Sequence, residues 1–147
     1  MTQFYYLSAK QPLDTGTFGE VKKLSNKGNY TFETAVDEAS ITIEKLQDGT
    51  VPNLSYPYQY EVMAHLGDFG VNKDHINELD RKCLQTLFHY LKAALDKSFI
   101  LEFYTAWAGE EELEAAEVKE LTMDELAAPD QLKLKNRSKL VIYRQRY

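Results

Sequence analysis

One cysteine, Cys83, stands in 147 residues, so no disulfide can form within the chain and the fold must rest on packing and hydrogen bonds. Four prolines and seven glycines are too few for a collagen-like or linker-rich chain. No apolar run approaches the roughly 18 residues that a membrane-spanning helix needs. The start, MTQFYYLSAK, lacks a basic patch followed by a long apolar stretch, so it does not read as a secretion signal. Positive charge is short as well. Lys and Arg number 17 against 23 Asp and Glu, for a net charge of −6, the wrong sign for a domain that reads nucleic-acid phosphates. These absences leave the expectation of a cytoplasmic protein with no membrane span and no nucleic-acid partner.

What is present is ordinary for a globular chain: 44% hydrophobic and 27% charged residues. The length is near the commonest size for one domain, so residues 1–147 are expected to form a single unit. No repeat or low-complexity segment divides them. The charge is uneven. Residues 99–130 hold ten acids and one base, and residues 131–147 hold six bases and no acid.

The apolar pattern sets the fold class. Phe4–Leu7, Tyr30–Val36, Ile41–Glu44, Tyr56–Val62, Phe99–Trp107 and Leu140–Tyr143 are short apolar or alternating stretches of strand type. Pro57 places the start of the fourth outside a ladder. Residues 10–29 read mostly as loop, and Asp48-Gly49 as a turn. Ile76, Leu79, Cys83, Leu84, Leu87, Leu91, Ala94 and Leu95 recur at three- and four-residue steps, one stripe of a helix over 74–97 capped by Asn72 or Asp74. Thr122 with Glu125 has capping-box spacing, so a short helix is expected between Thr122 and Pro129. The expected fold is α+β: a largely antiparallel sheet with one long amphipathic helix on one face and a short C-terminal helix. The Tyr56–Val62 and Phe99–Trp107 strands belong near its centre. One helix cannot supply the crossovers of a doubly wound sheet.

Two short stretches resemble landmarks of protein kinases. Asp14-Thr15-Gly16-Thr17-Phe18-Gly19-Glu20-Val21 looks like the glycine-rich loop over ATP, and Asp68-Phe69-Gly70 like the magnesium-binding tripeptide. The resemblance fails on chemistry. The first glycine is replaced by Asp14, whose charge repels phosphate. No lysine in a Val-Ala-Ile-Lys context and no His-Arg-Asp loop lies in the 48 residues between Gly19 and Asp68. The glycines therefore read as bends where a Cβ would interfere.

Other chemistry is thin. His65, Asp68, Asp74 and His75 are close in sequence but match no metal-ligand spacing, and no metal or cofactor is expected. Cys83 lies on the apolar stripe, away from His89, as packing thiols do. Glu110, Glu111 and Glu112 are adjacent carboxylates with nothing to desolvate one of them, so they do not make an acid–base pair. The highest-ranked cluster is Tyr104, Trp107, Glu110, Glu111 and Glu112: aromatic anchors beside acids that would steer a basic protein partner. The expectation is a non-catalytic protein-binding module, by analogy of size and charge with an immunity-protein-like inhibitor of a basic partner. The alternative is a small enzyme, using His65, Asp68 and His75, or a ligand-binding domain with a pocket between helix and sheet.

Overall fold

The computed structural model describes residues 2–47, 50–70 and 74–145. Among the described residues are nine strands: β1 (Gln3–Ala9), β2 (Gly16–Phe18), β3 (Lys23–Leu24), β4 (Tyr30–Thr31), β5 (Ser40–Lys45), β6 (Tyr58–His65), β7 (Ile100–Trp107), β8 (Glu117–Thr122) and β9 (Ser138–Tyr143). They are joined by a one-turn helix α1 (Ala35–Glu38), a long helix α2 (Glu78–Ala94) and a 3₁₀ turn at Pro129–Leu132. Seven strands form one sheet in the order β2-β5-β6-β1-β7-β9-β8, and β3 with β4 forms a separate ribbon. All pairs are antiparallel except β8 with β9 at one edge. The α+β expectation and the mostly antiparallel sheet stand.

The first strand holds the centre, and the two strands expected there flank it. Because β6 and β7 each run antiparallel to β1, they run parallel to each other. A parallel relation needs a long crossover, and α2 is that crossover. Its stripe carries Cys83, Leu84, Leu87 and Leu91 into a core with Tyr5, Leu7, Ile41, Val62, Leu101 and Phe103.

Several boundaries differ from the sequence reading. Tyr30–Val36 gives only two strand residues, because Thr34 turns the chain by accepting the Asp37 N–H and starts α1. Helix α2 begins four residues beyond Asp74. Its cap is Asn77; Asn77 and Asp80 form a reciprocal capping box that an aspartate at the third position can close. Asn72 and the Asp48-Gly49 turn lie outside the described residues. Thr122 and Glu125 do exchange capping-box hydrogen bonds of 3.0 and 3.2 Å, yet they close a turn and no helix follows. The short C-terminal helical element starts at Pro129 instead of stopping there, since a proline's fixed φ and missing N–H suit a first helical position. Residues 117–122, hidden in the acidic stretch, form the edge strand β8.

Candidate functional site

The kinase-like segment does have a structural job. Gly16 and Gly19 sit at φ +118° and +97°, in the region open to glycine. They bend residues 13–19 back toward the C-terminal half of α2. The Leu13 amide donates to the Tyr60 hydroxyl at 2.8 Å, and the Tyr90 hydroxyl donates to the Asp14 carbonyl at 2.6 Å. The Lys97 ammonium meets the Asp14 carboxylate at 2.6 Å. The Phe18 and Tyr90 rings stand 5.0 Å apart. At Gly19 a Cβ would lie 2.8 Å from the Thr86 side chain, so the missing side chain lets the loop close on the helix.

Between loop and helix lies a cavity of about 420 Å³ with a mostly apolar wall. Leu13, Phe18, Ala93 and Ala94 line its body, and His89, Tyr90, Asp14 and Lys97 supply its polar groups. The size and the ratio of apolar wall to polar points are those of small-molecule sites. Its hydroxyls are engaged: Thr86 donates to the Lys82 carbonyl at 2.7 Å, and Tyr90 is held as above. Burial pushes the Tyr90 phenol well above its ordinary pKa, with Tyr60 and Asp14 adding to it. The Tyr90 hydroxyl therefore acts as a hydrogen-bond donor and not as a base.

The Asp-Phe-Gly stretch is a packing device. The Phe69 ring is fully buried and packs edge-on against Tyr5 at 4.7 Å. The Asp68 carboxylate accepts the Gly70 N–H at 2.7 Å, and the Asp68 amide donates to Asp80 at 3.0 Å. A Cβ on Gly67 would lie 2.6 Å from the Leu79 carbonyl oxygen, so the chain can pass the helix start only as glycine.

The sequence-predicted cluster is divided by burial, although the Asn53 side chain ties the Tyr104 hydroxyl to the Glu111 and Leu113 carbonyls. Tyr104 is fully buried, and its hydroxyl accepts from the Asn53 side chain at 2.9 Å. Trp107 is half-buried, with its backbone N–H on the Asn136 side chain at 2.8 Å. Glu110 accepts from Asn136 at 3.2 Å, Glu111 accepts from the Gly109 N–H at 2.9 Å, and Glu112 is exposed. Tyr104 thus lies beneath the loops that carry the acids and does not share a surface with them.

One polar centre was not singled out from the sequence. Glu102 is 2% exposed on the face of the sheet opposite α2. Its carboxylate accepts from the Ser8 hydroxyl at 2.7 Å, the Ser55 N–H at 2.5 Å and the Lys139 ammonium at 2.9 Å. Burial pushes this carboxyl up, but the Ser55 amide, the Lys139 ammonium and the Ser8 hydroxyl together hold it below its ordinary value. Lys139 also donates to the Asn53 carbonyl at 2.9 Å. The signal that could have found it is a lone carboxylate inside an aromatic strand, since a buried acid requires a partner. With its donors converging, this centre ties the 50–57 segment to the sheet through Asn53 and Ser55.

The remaining candidates stand apart. His65 is exposed and pairs with Glu38 at 3.1 Å. Asp74 and His75 are exposed. Cys83 is fully buried, its thiol facing the Ser40 and His65 carbonyls at 3.5 Å, and burial raises its pKa. Among the described residues no three His, Cys, Asp or Glu side chains converge as a metal site, and no helix is long and apolar enough to cross a membrane. No protein-family model matches the chain, and comparison with curated proteins and with solved structures gives no significant match.

Proposed function

We propose that this chain is a binding domain whose ligand, a small and largely apolar molecule, enters the groove between residues 13–19 and α2. The observation that carries the reading is the cavity itself. It is about 420 Å³ and is walled by a loop pinned at Leu13, Asp14 and Gly19. A loop with no ligand to admit would bury more by collapsing onto Ala93 and Ala94. Binding is favoured over catalysis because the wall offers one imidazole, His89, and its two hydroxyls, Thr86 and Tyr90, both donate to backbone carbonyls instead of to that imidazole.

The test is a titration of ¹⁵N-labelled protein with indole-3-acetate, decanoate and phenethylamine as probes. Shifts should concentrate at residues 13–19 and 86–97. Ala93→Phe, at an exposed position on the groove wall, should abolish them while the rest of the spectrum is kept. Shifts scattered over the surface, or unaltered in the variant, would overturn the reading.

A second reading keeps the protein-binding role with a basic partner. It is favoured by the loop after β7, where Glu112 and Glu114 are exposed beside Leu113, itself 46% exposed. Acids around an open leucine are a small version of a steered contact patch. Reversing Glu112 and Glu114 to lysine should then slow association with any captured partner and steepen no other property.

A further inference from the structure

The sheet ends at β8, and that end is unusual. Strand β2 at the opposite edge has three residues, whereas β8 has six, four of them exposed. From Glu117 onward the odd-numbered amides turn to β9: Glu117 N–H donates to Arg137 at 3.4 Å, and Met123 N–H to Tyr143 at 2.7 Å. By strand alternation the N–H and C=O groups of Val118 and Glu120 face the open edge. Val118, 54% exposed, lies on the face away from α2, since it registers with Lys139, which reaches Glu102. Glu117 and Lys119 lie on the other face, Lys119 in register with the core residue Leu140.

We propose that β8 is a self-docking strand: a second copy of this chain pairs its own β8 antiparallel across a two-fold axis at Val118, joining two sheets into one. The occupant is a second copy because the strand is complementary to itself. A two-fold axis perpendicular to the sheet keeps each face on its own side, so a residue can oppose only one of the same parity. Centred on Val118, the pairing sets Glu117 against the Lys119 of the other copy twice and Val118 against Val118. It also lets the two Val118 residues exchange both outward backbone hydrogen bonds. Centring on Glu117 or Glu120 opposes two acids, and centring on Lys119 opposes two ammoniums. Like charges directly opposite are destabilising. Charged edge strands normally repel neighbours; here the charges exclude the registers centred on Glu117, Lys119 and Glu120 and admit the one centred on Val118.

The interface is small, so the dissociation constant should be weak, on the order of 10–100 μM. Lys133 and Lys135 share a shallow depression with Glu117 and Lys119, in which Glu117 is the sole acid. Glu117→Lys should therefore weaken pairing more than Lys119→Glu. Sedimentation equilibrium over a micromolar to millimolar series tests this. The chain should show a monomer–dimer equilibrium. Val118→Pro removes an N–H that the monomer does not use, and should give a monomer with an unchanged circular-dichroism spectrum. Lys119→Glu should weaken dimerisation roughly tenfold, and Glu117→Lys by more. An equimolar mixture of Glu117→Lys with Lys119→Glu should restore it, because each mixed pair again opposes acid and base. A chain that stays monomeric throughout the series would overturn the proposal. So would Val118→Pro dimerising as the parent does, or a mixture no tighter than its components.

Discussion

The two faces of the central sheet bury their residues by different means. Toward α2, Leu7, Ile43, Leu87, Leu101 and Phe103 are each fully buried among apolar neighbours. On the opposite face Tyr6 and Tyr104 pack with Val51, Leu54 and Ala106 around a charged centre, Glu102 with Lys139. The first face has many weak, interchangeable contacts. The second depends on a few directional ones, because a buried carboxylate is tolerable only while its donors stay in place. The lesson is one of redundancy. A helix face can lose a methyl group and partly relax, whereas the polar face loses its balance when a single donor leaves.

The sharpest way to break this contrast is Lys139→Met, which keeps the length of the stem and leaves Glu102 without its cation. A loss of about 4 kcal/mol is expected, read as a lower urea midpoint, with the loss shrinking at acid pH as Glu102 takes up a proton. A variant as stable as the parent would mean that Glu102 is solvated.

Leu87→Ala should cost somewhat less, about 3 kcal/mol, because Leu87 is 0% exposed in the middle of the α2 stripe. An unchanged midpoint would show that α2 does not seal this face.

The third test is pH. The Glu102 carboxyl sits below its ordinary value, its burial outweighed by the Ser55, Lys139 and Ser8 donors. The unfolded chain, with a glutamate near about 4.3, takes the proton first as pH falls. Stability from this group is therefore complete above that value and lost as pH falls through the lowered folded one. Urea midpoints from pH 7 down to pH 3 should show less acid loss in Glu102→Gln than in the parent; equal slopes would refute the assignment.

The smallest effect is expected for reversing Glu110, Glu111 and Glu112 to lysine together. An acidic 99–130 segment followed by a basic 131–147 segment would stabilise the fold if the two opposed each other across a ladder. Strand β9 does pair with β7, and Lys139 does reach Glu102 across that pair, but beyond it Arg137 donates to the Glu114 carbonyl at 3.4 Å and Glu110 meets the Asn136 amide instead of a cation. Melting at low and high salt should differ from the parent by no more than about 0.5 kcal/mol. A large, salt-sensitive loss would restore the ladder account.

Much of the fold was legible in the residues because periodicity records burial. The stripe from Cys83 to Leu95, the alternation of Tyr58, Tyr60 and Val62, and the apolar run Leu140–Tyr143 all became the elements they suggest. Strand β8 was illegible, because Glu117-Val118-Lys119-Glu120 lies at an open edge where neither face demands apolar residues. The Pro129 turn was misplaced because a proline marks both the end of one helical turn and the start of another.

The sequence by itself determined the apolar stripes, the bends at Gly16 and Gly19, and the absence of a disulfide, since each follows from local geometry or from composition. Only the tertiary structure decided which strand became central, that Tyr104 would be buried while Glu112 stayed in water, and that Asp14, Phe18, Tyr90 and Lys97 would enclose one groove. Those outcomes depend on pairing between distant segments: β1 lies against β7 about a hundred residues away, as in the Gln3 side chain's bond to Thr105 across 102 positions. Such pairings are chosen by the fit of whole faces, which no local window of sequence contains.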